Sequence, residues 1–209
     1  MSIYTKILKK KKLVIFDLDG VLLNSRANMK AAWDYTSKCN NLTSNFNEYL
    51  QYVGLPFFKI LEKMRIQGNY LDIKKNYSKG SKLNIHRNKL YPNVHKTLNK
   101  LKKLGKIVAL YTSKDPVRTK LFLKKFDLNF DSVQCDNKNL KGKPHPDQLL
   151  IIMRELKIKK KDAILIGDTS YDYLASKNSK IDFIYAGYGF GKKIKHKFTI
   201  KKINQLIDG

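Results

Sequence analysis

Near its start the chain reads Leu13-Val14-Ile15-Phe16-Asp17-Leu18-Asp19-Gly20-Val21, LVIFDLDGV. A short apolar run followed by two acids has the pattern of a strand buried on both faces, as in a parallel sheet. Side chains alternate along a strand, so Asp17 and Asp19 are expected to point the same way. Open α/β sheets hold their ligands at the carboxyl ends of their strands, where these acids fall. Two carboxylates buried there unpaired would be costly, so a cation is expected beside them. Gly20 permits a sharp turn or a close approach of the backbone.

Outward from this stretch, apolar runs predict further strands at Lys106 to Thr112, Ser132 to Cys135, Ala163 to Gly167 and Asp182 to Ala186. Helical spacing lies between them. One helix opens at Pro92-Asn93 and runs to Leu104, with Val94, Leu98, Leu101 and Leu104 on one face and Gly105 as its cap. Others are expected from Pro116 to Phe126, from Pro146-Asp147 to Leu156, and from Tyr171 to Lys177. A last helix is expected over Ile200 to Ile207, and residues 1–11 read as a basic lead-in. Strand and helix alternate, which predicts an α/β fold: a doubly wound, Rossmann-like parallel sheet with helices on both faces.

No comparable buried strand occurs between Leu22 and Lys89. Helical patterns run over Met29 to Cys39, Phe57 to Ile66 and Tyr70 to Tyr77, broken at Gly54-Leu55-Pro56 and Gly68-Asn69. The expected organisation is a core domain of residues 1–22 and 89–209, with a small α-helical domain, 23–88, inserted after the first strand.

Composition narrows the class. With 209 residues, 42% of them hydrophobic, the chain has enough apolar material for a core domain plus an insert. No apolar run reaches the roughly 18 residues of a membrane helix. The run after Lys9 to Lys12 is short, ends at Asp17 and does not read as a signal peptide. Two cysteines, Cys39 and Cys135, are too few for a disulfide framework, in keeping with a reducing cytoplasm. The net charge of +26 would attract nucleic acid or anionic membrane. The basic residues are dispersed, however, and nearly all are lysine; arginine occurs at positions 26, 65, 87, 118 and 154. A specific nucleic-acid face concentrates arginine and aromatics. The lysines therefore read as solvated helix faces, and neither nucleic acid nor membrane is the expected partner.

Four polar clusters fall at predicted strand ends. They are Asp17-x-Asp19, Thr112-Ser113, Lys143-Pro144-His145-Pro146, and Gly167-Asp168-Thr169-Ser170-Tyr171-Asp172. Each alone has an ordinary explanation as a turn, a helix cap or a surface lysine. In a parallel sheet all four would gather on one edge.

In their order and spacing these clusters resemble the four motifs of the haloacid dehalogenase superfamily of phosphohydrolases: FDLDGV, YTS, KP and GDTSYD. An insert straight after the first motif matches the position of that family's small helical cap. The stretch Tyr91 to Lys114 and the glycines of Gly187 to Gly189 are similar to its phosphoglycolate-phosphatase-like branch. The resemblance implies strand order 5-4-1-2-3 and magnesium-dependent phosphoryl transfer through an aspartyl phosphate. It implies Asp17 as nucleophile and Asp19 as general acid, then base. Thr112 and Ser113 would hold the phosphoryl oxygens, and Lys143 would neutralise phosphate and nucleophile. Mg²⁺ would sit on Asp17, the Asp19 backbone carbonyl and Asp168, with Asp172 binding a metal water or holding Lys143. Gly54, in a loop resembling the one by which the cap reaches the site, would touch substrate.

Asn24 departs from the family, which often has Asp there. Arg26, Lys59 and Arg65 are candidates to meet an acidic substrate but read more simply as surface. Tyr35, Tyr49 and Tyr52 read as cap core, and His145 as a loop residue. The expected activity is hydrolysis of a small phosphorylated metabolite, phosphoglycolate-like or a sugar phosphate, by a monomer or homodimer. A phosphomutase of the beta-phosphoglucomutase type and a non-enzymatic nucleic-acid-binding protein are the competing readings.

Overall fold

The computed structural model describes residues 2–137, 139–191 and 193–208. Strand β1 (Leu13–Phe16) lies at the centre of the sheet, and all four of its side chains are fully buried. Burial of each such side chain stabilises the fold by about 1.5–3 kcal/mol. β1 pairs in parallel with β4 (Ile107–Tyr111) on one side and β6 (Ala163–Gly167) on the other. β5 (Ser132–Gln134) extends the sheet beyond β4, and β7 (Asp182–Ala186) extends it beyond β6.

Counting the five predicted strands in chain order, the sequence is 5-4-1-2-3, as expected. A sixth strand, β8 (Thr199–Ile200), adds in parallel to β7. One face carries the core of Val14, Phe16, Val108, Leu110, Ile164 and Ile166; the other carries Leu13, Ile15, Ala109, Tyr111 and Leu165. Helices cover both faces. α6 (Val94–Lys103) packs on the first core through Leu98 and Leu101, and α7 (Pro116–Lys125) through Phe122. α8 (Asp147–Glu155) and α9 (Ser170–Ser179) lie against the second.

Several local expectations are corrected. Residues 3–9 are not a lead-in but helix α1 (Ile3–Lys9), whose Leu8 joins the core. Its Tyr4 hydroxyl donates to the carbonyl of Thr199 at 2.5 Å, tying the amino terminus to β8. The predicted last helix over 200–207 is instead the end of β8 followed by a single 3₁₀ turn, Ile203–Leu206. Sheet pairing outweighs helical spacing there, because Gly187 N–H donates to Ile200 O at 2.9 Å. Leu104 is exposed and takes no part in the α6 face.

The segment between β1 and α6 is helical, with more elements than predicted. A two-residue antiparallel ribbon, β2 (Leu23–Asn24) with β3 (Lys89–Leu90), pins its two ends together. Between them lie α2 (Arg26–Cys39), α3 (Phe46–Leu50), α4 (Phe57–Lys63) and α5 (Tyr70–Leu83). α3 escaped the sequence pattern because it is five residues long, and α5 continues past the predicted Tyr77 through Gly80. That glycine permits a close crossing with α2, since a Cβ there would stand 3.1 Å from the Ala32 backbone.

The segment has its own aromatic core. Trp33 stacks on Tyr49 with centroids 4.6 Å apart, and Phe57 lies 4.8 Å from Tyr77. Asn28 and Ser81 exchange two hydrogen bonds, of 2.8 and 2.9 Å, across the α2–α5 crossing. Among the described residues no helix is long and apolar enough to cross a membrane.

Trp33 is the chain's single tryptophan and reports on this core alone. Truncating fully buried Leu61 in the same cluster removes packing without touching a polar group. Leu61→Ala is expected to lower the urea midpoint of the Trp33 fluorescence transition by the equivalent of about 2–5 kcal/mol. An unchanged midpoint would show that the segment does not unfold as a packed unit.

Candidate active site

Asp17 follows β1 directly. Its backbone N–H still donates to Ile166 O, at 2.9 Å, so the residue is held as firmly as the strand. Its carboxylate is buried and meets Lys143 Nζ at 2.5 Å through Oδ1. The same ammonium lies 2.7 Å from Asp172 Oδ1 and 4.5 Å from the centroid of the Tyr111 ring. Lys143 therefore sits between two carboxylates and over an aromatic face, with almost no access to water. Burial works against its charge, but Asp17 and Asp172 outweigh that and hold the ammonium above its ordinary pKa.

Asp168 precedes helix α9, and Thr169 is the helix N-cap. A capping box forms: Thr169 Oγ1 accepts from Asp172 N–H at 3.1 Å, and Asp172 Oδ2 accepts from Thr169 N–H at 3.1 Å. The box fixes Asp172 so that its other oxygen faces Lys143.

Asp168 is positioned from a distance in sequence. The backbone N–H groups of Phe190 and Gly191 donate to its Oδ2 at 3.1 and 2.9 Å. A Cβ on Gly189 would collide with the Asp168 side chain, as would one on Gly20, whose φ is +88°. The late glycines thus leave space for an acid and supply its donors.

Asp17, Asp168 and Asp172 each offer a carboxylate oxygen, and these atoms lie within 4.8 Å of one another. Three buried carboxylates face one ammonium. Burial pushes Asp17 up to about 7, with Asp172 adding to the rise and Lys143 opposing it. Burial, with Asp17 and Asp172 beside it, pushes Asp168 well above the usual carboxylate range. Asp168 Oδ1 is buried and has no hydrogen-bond partner among the described residues. An excess of buried negative charge, all-oxygen donors and an orphaned carboxylate oxygen together fit a hard divalent cation.

The second acid of the first stretch points into the same cavity but bonds to other groups. Asp19 Oδ2 is 2.9 Å from Lys114 Nζ, and Asp19 Oδ1 accepts from the Ser25 hydroxyl at 2.6 Å. Its carboxylate lies outside the three-acid cluster, leaving the backbone carbonyl as the ligand atom expected of it. Ser25 stands at the N-cap position of α2 yet makes no capping bond. Its hydroxyl ties the helical insert to the site instead.

Thr112 and Ser113 follow β4, as expected, and line the cavity with Asp17, Asp19 and Lys143. Thr112 Oγ1 accepts from Lys114 N–H at 3.2 Å. The Ser113 hydroxyl donates to Gly54 O at 2.6 Å, so the insert loop closes directly on the strand end. Gly54 has φ +108°, and a Cβ there would press on Thr169.

The cation candidates of the insert do not reach the cavity. Lys59 pairs with Glu62 at 2.7 Å on the surface, and Arg26 and Arg65 are exposed. Tyr35 and Tyr52 are half-buried in the insert, and His145 is exposed. Asn24 lies in the ribbon opposite Lys89.

Residues not anticipated complete the wall. Lys114, Arg118, Tyr49 and Tyr77 line the cavity, beside apolar Met29, Val53, Leu55, Phe57 and Ile60. A usable signal was the rarity of arginine: Arg118 is one of five, in the first turn of the helix after the second motif.

The model of the haloacid dehalogenase-like hydrolases matches residues 14–186. Pyrophosphatase PpaX of Halalkalibacterium halodurans is 26% identical over 209 residues, covering 93% of this chain and 94% of that protein. Among solved structures, a predicted phosphatase from Clostridium acetobutylicum superposes with a TM-score of 0.81 at 25% identity, over 94% of this chain and 96% of that one. A hydrolase from Pseudomonas syringae reaches a TM-score of 0.85 at 20% identity, over 94% and 96% of the two chains.

Without a cation, ionised Asp168 opposes folding, because its pKa rises on burial. Asp168→Asn is therefore expected to stabilise the chelator-treated protein at neutral pH by about 1–3 kcal/mol, and to abolish the rise in Tm on adding Mg²⁺ to the parent. A variant that melts lower in chelator, or still gains from Mg²⁺, contradicts the charge argument.

Proposed function

The chain belongs to the haloacid dehalogenase-like hydrolases, and on that premise we propose that it is a Mg²⁺-dependent phosphatase working through an aspartyl phosphate on Asp17. The observation that carries this reading is Lys143, held 2.5 Å from Asp17 and 2.7 Å from Asp172 at the end of β1. A carboxylate nucleophile and a phosphate dianion repel each other, so phosphoryl transfer depends on positioned positive charge. Lys143 supplies a compact ammonium beside the nucleophile that cannot swing away, since both its partners are fixed.

In the first step an Asp17 oxygen forms a bond to phosphorus as the ester or anhydride P–O bond breaks. Asp19 delivers a proton to the departing oxygen. In the second step water attacks phosphorus, Asp19 takes the water's proton, and the bond from the Asp17 oxygen to phosphorus breaks, releasing inorganic phosphate and the free Asp17 carboxylate. The Ser25 hydroxyl and the Lys114 ammonium hold its carboxylate toward the cavity for this exchange. Thr112 and the Ser113 N–H bind phosphoryl oxygens. A bound Mg²⁺ would neutralise charge on the phosphoryl group; Asp17, Asp168 and the Asp19 carbonyl would hold it, with Asp172 acting on Lys143 and through a metal water.

We assign residues 23–88 as a cap domain that closes over the site and excludes water. The Ser113–Gly54 bond and the Ser25–Asp19 bond join it to the core around the cavity. The substrate is a small phosphate compound. Phosphoglycolate-like and sugar phosphates come from the sequence reading. Inorganic pyrophosphate joins them because a relative of matching length is a pyrophosphatase.

Two results test the reading. Asp17→Asn is expected to remove at least about 10³-fold of turnover with the Tm of the parent or higher; retained activity would refute covalent catalysis by Asp17. Chelation is expected to stop hydrolysis of every substrate and Mg²⁺ to restore it, whereas indifference to chelator would remove the metal from the mechanism.

A further inference from the structure

The cavity has two chemically different ends. One is the nucleophile end, with Asp17, Lys143 and Thr112. The other is walled by Lys114 and Arg118 from the core and by Tyr49 and Tyr77 from the insert. We propose that this second end is an oxyanion subsite that selects substrates carrying a small acidic group next to the transferable phosphoryl group. The inference rests on the phosphatase reading above and names its substrate class.

The donors of this end are not used up by the protein. Arg118 pairs with Asp115 at 2.5 Å through Nε, which leaves the terminal nitrogens of the guanidinium without a carboxylate among the described residues. Its Cζ lies 5.1 Å from the centroid of the Tyr77 ring, within cation–π reach. Tyr49 donates its hydroxyl to Tyr77 at 3.1 Å, and the Tyr77 hydroxyl donates to no acceptor among the described residues. Among the described residues Lys114 has one ion pair, with Asp19, and is otherwise braced over the Phe122 ring at 4.8 Å. An ammonium has three donors, and a guanidinium has five. What these groups have in common is a need for acceptor oxygens.

Polarity restricts what would bring those oxygens. The remaining wall is Met29, Val53, Leu55, Phe57 and Ile60, which offers nothing to the hydroxyls of a sugar. Such hydroxyls would be buried unpaired at a cost of about 1–3 kcal/mol each. A carboxylate or a second phosphoryl group meets the donors. The same apolar wall lowers the local dielectric and strengthens the attraction.

The subsite is also divided between core and insert. Lys114 and Arg118 stand on the core, while Tyr49 and Tyr77 stand on the insert. An acidic group bound there would bridge the two, so its binding energy would favour the closed arrangement in which the Ser113–Gly54 bond forms.

The test compares kcat/KM, with Mg²⁺ present, for inorganic pyrophosphate, 2-phosphoglycolate, ethyl phosphate and glucose 6-phosphate. Pyrophosphate or phosphoglycolate is expected to exceed both neutral-tailed esters at least tenfold; which of the two leads tells a phosphoryl from a carboxylate occupant. Arg118→Met is expected to cut that preference tenfold or more, mainly through KM, with Arg118→Lys restoring part of it. Tyr77→Phe removes one hydroxyl from a packed ring and is expected to cut it about threefold even if the Arg118 variants fold poorly. The proposal is overturned if the parent turns over ethyl phosphate as well as the acidic substrates. It is also overturned if Tyr77→Phe and the folded Arg118 variants keep the full preference. Absence of hydrolysis of all four compounds by the parent would refute the phosphatase reading itself.

Discussion

A single ammonium buried between two carboxylates is the contact on which the site depends. Lys143 contributes little net stability there, since desolvating three ions costs about as much as their attraction returns. Its value is positional. Removing Lys143 would leave Asp17 and Asp172 as buried charges without a counter-ion, at a cost of about 3–5 kcal/mol, so the surrounding protein must hold all members at fixed places. It does so by putting each on a rigid element. Asp17 continues the hydrogen bonding of the central strand, and Asp172 is locked by a capping box. Asp168 has no such local support and takes two backbone donors from a loop 22 residues away.

That loop explains why small residues recur where a core would not need them. Gly20 and Gly189 both abut the Asp168 carboxylate, and a methyl group at either position would displace it. Glycine here follows from the space the acid needs and the amide donors it uses. The same demand for close approach reappears at Gly54, where the insert meets Thr169 and Ser113.

The central sheet was legible because runs such as LVIF and AILIG are continuous and apolar over the length of a strand, and glycine or proline punctuates them. The four polar clusters were legible because each directly follows or precedes such a run. What escaped has a physical reason in each case. β8 and the β2–β3 ribbon are two residues long, below the reach of any periodicity, and exist only through tertiary pairing. α1 is lysine-rich and anchored by Leu8 and one tyrosine hydroxyl. The distal wall of the cavity joins Tyr49, Tyr77, Lys114 and Arg118 from separate elements, and no spacing connects them. A catalytic motif is local to one strand end and shows in sequence. A specificity wall assembled from two parts of the chain does not.

The charge of the chain takes on meaning beside this geometry. Lysine and arginine together number 43 against 17 acids, and three of those acids are gathered, buried, around Lys143. These three acids are therefore screened from the surface by protein, while most of the lysines lie outside. An approaching polyanion meets a positive field at long range and the buried acids only after entering the cavity. Such a field accelerates encounter with any small phosphate and does not distinguish one from another, and it weakens as salt shortens the Debye length. Discrimination must therefore arise after entry, where water is excluded and the fixed donors of the cavity act at short range.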